Sequence, residues 1–210
     1  MAGGSYLLKD KNGDDVVFLA GSSGRLALVL LTEAGVPLQS SQVTAIKLWL
    51  SLRDDPTLPV GGINGVSNVE ILNADRGTLG AGKAVTGGSL TTDYTVRLTI
   101  AAHGYATGDL VSIRDVVGLT GANGDWLVTV VDTNTIALQG SLGSGAWSSG
   151  GTATKALHVT LKPADNAIID STIPSGEEEW HQAYLLVSYG VAGVSSLPIV
   201  VQYQVLNIGP

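Results

Sequence analysis

The chain has 210 residues, enough for one large domain or two small ones. Its 18 acidic and 11 basic residues leave a formal charge of −7, which argues against a general nucleic-acid binder working by counterion release. Cysteine is absent, which excludes disulfides, thiolate metal sites and cysteine nucleophiles, and 28 glycines beside one Phe and one Met do not suit a helical protein.

In chain order, residues 1–15 lack a basic region followed by a long apolar run, so no signal peptide is expected. No apolar stretch approaches the roughly 20 residues of a membrane span. Residues 16–20 and 25–31 read as strands separated by the turn GSSG, with a second turn at TEAGVP. Residues 43–52 alternate, with Thr44, Ile46, Leu48, Leu50 and Leu52 on the expected core face and Lys47 and Trp49 on the other. Two prolines and several glycines make 54–68 a loop. A short strand at 69–72 precedes the glycine-rich stretch 74–93, the expected domain junction.

From Tyr94 to Thr154 short alternating strands are separated by HGYATGD, GLTGANGD, DTN and a Gly/Ser loop around Trp147, the pattern of a small β-barrel or roll. Beyond 155 longer strands return, with Leu157, Val159 and Leu161 facing one way and His158 the other, toward solvent or a partner. PADNAII predicts one helical turn with Pro163 at its first position. The run Glu177, Glu178 and Glu179 reads as a solvated turn before strands at 184–189 and 199–206. The chain therefore predicts an all-β protein: a discontinuous β-sandwich over 1–84 and 155–210, interrupted by a small β-domain at 85–154. Insertion at a glycine-rich loop costs little closure entropy.

Searches for chemistry fail. Gly77, Gly82 and Lys83 stand at phosphate-loop spacing, but Ala84 replaces the Mg²⁺-binding hydroxyl and no helix follows. His103, His158 and His181 are too widely spaced to suggest a zinc site. DKNGDD places Asp10, Asn12 and Asp14 like a calcium loop, but Asp15 and Gly21 stand where a Gly and a Glu are required. No G-x-S-x-G elbow occurs. No catalytic residue, metal site or cofactor is expected.

Residues 94–154 run strand, HGYATGD, strand, GLTGANGDW, strand, DTNTIAL, Gly/Ser loop, GGT. This pattern, carried by His103, Gly104, Thr107, Gly108, Asp109, Gly118, Gly124, Asp132, Asn134, Gly150 and Gly151 among others, resembles a small β-domain common in tailed-bacteriophage structural proteins. That domain is often labelled as similar to the inserted catalytic-cysteine half-domain region of ubiquitin-activating enzymes. The flanks, LALVLLTEAGVPLQSSQVTAIKLWLSL and LHVTLKPADNAIIDSTIPSGEEEWHQAYLLVSYG, resemble the immunoglobulin-like N-terminal domain of phage upper-baseplate proteins.

The resemblance implies an immunoglobulin-like β-sandwich carrying the insert. It also implies a non-enzymatic virion structural protein of the tail, baseplate or neck, made in the host cytoplasm. Its expected partners are other phage structural proteins and further copies in a symmetric ring, with no nucleic acid and no membrane. The expected interface comprises Trp49, Pro56, Leu58, Val60, Ile63, Trp147 and His158, with the two indoles as anchors and the loops 56–66 and 141–149 around them. The alternative is a module that binds a host glycan through exposed Trp residues.

Overall fold

A computed structural model describes residues 4–7, 17–19, 23–32, 34–54, 69–72, 77–190 and 195–208. The described chain is an all-β sandwich protein whose strands are joined by turns and one short 3-10 segment. It divides into two compact units. The first comprises residues 1–26, 42–78 and 159–210, and the second 27–41 and 79–158.

The first unit is built on β1 (Gly4–Leu7), β2 (Val17–Leu19), β4 (Val43–Leu52), β5 (Val69–Glu70), β15 (Glu178–Tyr189) and β16 (Ser195–Leu206). They form one sheet in the order β1–β16–β15–β4–β5, with β2 also on β16. β1 and β2 run parallel to β16, while β4, β15 and β16 are antiparallel. Period-two alternation sets the faces. Ile46, Leu48 and Leu50 stand opposite Val187, Leu185 and Ala183, and all six are buried. Ile199 and Val201 continue this apolar face across β16. β3 (Gly24–Leu28), β14 (Leu157–Leu161) and β6 (Gly77–Thr78) make a smaller sheet in the order β3–β14–β6.

After β14 the chain makes the expected single turn, a 3-10 segment at Pro163–Asn166 with Pro163 at its first position. The Asp165 carboxylate accepts the Lys162 N–H at 2.6 Å and closes that turn.

The second unit contains β7 (Gly82–Ala84), β8 (Gly87–Leu90), β9 (Val96–Thr99), β10 (Leu110–Arg114), β11 (Gly124–Asp132), β12 (Thr135–Leu138) and β13 (Thr152–Lys155). They order as β7–β13–β10–β11–β12–β9–β8, with every pairing antiparallel. The two edge strands are neighbours in sequence, separated by Val85 and Thr86. Val85 N–H donates to Gly151 O and Thr86 N–H to Thr99 O, both at 2.9 Å. The sheet therefore curls until its edges meet, around a core that includes Val96, Leu98, Ile113, Val128, Ile136 and Leu138.

The glycine-rich stretch 74–93, expected as the domain junction, contains β6, β7 and β8. Glycine serves close approach there. A Cβ on Gly88 would come within 2.8 Å of Leu119 and 3.2 Å of Trp147. The compact units accordingly divide at 78/79 and 158/159, not at 84/85 and 154/155. Residues 27–41 group with the second unit, where Ser40 N–H donates to Gly80 O and Gln39 packs on Gly82.

Candidate functional site

The face of the large sheet opposite its apolar side carries two cross-strand pairs between β4 and β15 and a third just past the end of β4. Trp49 stacks on Tyr184, with ring centroids 3.7 Å apart. Ser51 accepts a hydrogen bond from Gln182 at 2.9 Å. Beyond the end of β4, the Arg53 guanidinium lies over the Trp180 ring, 4.5 Å from its centroid. The backbone joins this last pair, since Arg53 N–H donates to Trp180 O. Arg53 also pairs with Asp54 through Nε and Nη2. Those hydrogen bonds and the ionic attraction hold the Asp54 carboxyl below its ordinary value.

Beside Trp180 lies a cleft of about 350 Å³ lined by Leu52, Asp54, Asp170, Ile173, Glu178, Glu179 and Trp180. Its carboxylates are not equivalent. Asp170 is held low by the Thr172 hydroxyl and N–H. Glu179 is rooted in the fold: its carboxylate accepts the Ile169 and Asp170 N–H groups and lies 2.5 Å from His181 Nε2. The expected solvated turn at Glu177–Glu179 is therefore corrected for Glu179, which is 5% exposed. Period two explains the difference, because Glu179 and His181 share the inward face of β15. Burial pushes the His181 imidazole below its ordinary value, against the opposing pull of Glu179.

In the second unit the turn HGYATGD is fastened by its own polar residues. His103 donates from Nε2 to Asp132 O at 2.8 Å and accepts the Tyr105 N–H on Nδ1 at 2.9 Å. Both ring nitrogens are engaged, so His103 braces the turn. Asp109, 1% exposed, accepts the Ala106 N–H and pairs with Lys155 Nζ at 2.7 Å. Burial alone would raise its carboxyl, but Ala106, Lys155 and His158 outweigh this and hold it low. Burial and Asp109 push the Tyr105 hydroxyl up to about 12.

The expected interface residues fall in different places. Trp49 is half-buried in the stack described above. Pro56, Leu58, Val60 and Ile63 lie outside the described residues. Trp147 packs against the core of the second unit and donates from Nε1 to Gly150 O at 3.1 Å. The loop around it is tied back, with Ser144 bridged to Thr120 and Ser149 to Val117. His158 is corrected: it is 4% exposed, its Nδ1 is 3.5 Å from Asp109, and its Nε2 accepts the Leu110 N–H at 3.4 Å. Strand alternation placed it opposite the aliphatics of β14, but that side is covered too, as in a strand buried on both faces.

Sequence reasoning missed the Arg53–Trp180 and Trp49–Tyr184 pairs, which depend on a register between strands more than a hundred residues apart. It also missed the exposed apolar residues Tyr94 and Leu142, 62% and 77% exposed. Among the described residues, no three His, Asp or Glu side chains converge as metal ligands, and no helix is long and apolar enough to cross a membrane. No protein-family model matches the chain, and no curated protein matches it.

Proposed function

We propose that this protein is a non-enzymatic structural subunit of a tailed-bacteriophage particle, an adaptor of the tail, baseplate or neck that joins neighbours through β-surfaces. The observation that carries the reading is the phage-like pattern over 94–154, whose residues account for the turns of one curled sheet. Gly104, Gly108, Gly118, Gly124, Gly150 and Gly151 all adopt positive φ, where a side chain is disfavoured. His103 and Asp109 are spent bracing the turn between β9 and β10, and Asn134 accepts the Ala102 N–H. Such a pattern specifies a scaffold rather than a reaction centre.

In this reading the chain assembles with other phage structural proteins and with further copies in a ring, and needs no cofactor. Quantitative mass spectrometry of purified particles tests it. A fixed, stoichiometric copy number is the expected result, and absence from infectious particles overturns the proposal.

A second reading, binding of a host glycan, draws support from the outer sheet face, where Trp49 and Tyr184 adjoin the Ser51–Gln182 pair. Aromatic faces beside amide donors suit sugar rings. Trp147, engaged with the core of its own unit, does not contribute to this reading. Glycan-array binding that disappears in Trp49→Ala supports it, and silence of the folded protein across host polysaccharides rejects it.

A further inference from the structure

The segment joining the 3-10 turn to β15 is held differently from the strands around it. Residues 169–178 are exposed except for Ile173, which is half-buried. They therefore bury little apolar surface, the usual mark of a segment that opens locally. Hydrogen bonds hold them instead.

At the leading end, the Ile169 and Asp170 N–H groups donate to the Glu179 carboxylate at 3.0 and 2.7 Å. Asp170 then accepts both the N–H and the hydroxyl of Thr172. At the trailing end, Asn207 Nδ2 donates to Ile173 O at 2.9 Å, and the Asn207 backbone exchanges hydrogen bonds with Gly176 and Glu177. Glu179 belongs to the sheet: it is buried, and its third donor is the fully buried His181 ring. Asp170 and Ile173 form part of the lining of the cleft that also contains Leu52 and Trp180.

We propose that residues 169–177 form a strap latched by Glu179, which opens as a unit and uncovers the cleft at Trp180 while β15 and β16 stay paired. The latch is one buried carboxylate shared by three N–H donors. Charge-assisted bonds of this kind are about twice as strong as neutral ones. An amide in its place keeps one acceptor oxygen and sets an NH₂ group against groups that also donate. The strap then loses its leading anchor while the apolar face of the sheet is unchanged.

Residue-resolved hydrogen exchange on wild type and Glu179→Gln tests this. The Ile169 and Asp170 amides should exchange about ten- to a hundredfold faster in the variant, as expected for loss of charged hydrogen bonds. Amides of 183–187 and 199–203 should change by less than about twofold, as expected for a local opening. Unchanged exchange at 169 and 170 overturns the latch. Equal acceleration of the sheet amides overturns it as well, because Glu179 would then support the whole unit. If the variant does not fold, exchange in the wild type decides. Collective exchange of 169–173 ahead of 183–187 supports the strap, and exchange of both sets only through global unfolding contradicts it.

Discussion

Trp49 and Tyr184 stand directly opposite each other on β4 and β15, and their rings stack at 3.7 Å with an interplanar angle of 22°. Cross-strand aromatic pairs stabilise a sheet beyond the area they bury, by about 0.5–1.5 kcal/mol. A double-mutant cycle with Trp49→Ala and Tyr184→Ala should return a coupling energy in that range in chemical denaturation. Additive losses would show that the two rings contribute independently.

Asp109 supports the turn at 103–109 from a buried position. Asp109→Ala removes the acceptor of the Ala106 N–H and the counter-ion of Lys155, and should destabilise the second unit by about 3 kcal/mol. His158→Ala should cost more than about 1 kcal/mol, since it opens a cavity and leaves the Leu110 N–H without its ring acceptor. Thermal and denaturant unfolding would check both. A His158→Ala change within about 0.5 kcal/mol, the usual range for surface sites, would contradict the buried placement.

Two glycines with similar φ separate strain from space. Gly140 (φ +71°) has open space where a Cβ would stand, whereas a Cβ on Gly118 (φ +86°) would lie 2.3 Å from Ala146 O. Gly140→Ala should cost about 1–2 kcal/mol, the penalty of the left-handed conformation alone. Gly118→Ala should cost clearly more, because backbone must also shift. Equal melting temperatures for the two variants would refute this distinction.

Acid sensitivity should arise at His181. Its folded value is depressed by burial, while the unfolded chain titrates near 6.5. Below that pH the unfolded state takes up a proton that the folded state resists. The contribution to stability is thus complete above about pH 6.5 and is lost as pH falls toward the folded value. Stability measured between pH 8 and 5 should decline on the acid side, and His181→Gln, which keeps a donor toward Glu179, should flatten that decline. An unchanged slope in the variant would assign the acid sensitivity elsewhere.

Much of the architecture was legible because period two is a strong signal. Ile46, Leu48, Leu50, Leu185, Val187, Val201 and Val205 are buried, and the single turn at Pro163 follows from proline geometry. At 82–90 glycine lies within strands and lets them approach side chains such as Leu119 and Trp147, a role that composition alone does not reveal. Alternation also misassigned His158, because period two separates the faces of a strand without saying whether both are covered. The acidic neighbours of Glu179 suggest a solvated turn, whereas its place on the inward face with His181 decides its role. The pairs Trp49–Tyr184 and Arg53–Trp180 depend on long-range register, which no local pattern encodes.

A reconstruction of purified intact phage particles decides the proposed role as a structural subunit. Density for both compact units is expected at a symmetric ring position in the tail, baseplate or neck, in contact with neighbouring structural proteins. Infectious particles whose density is fully assigned without this chain would contradict it.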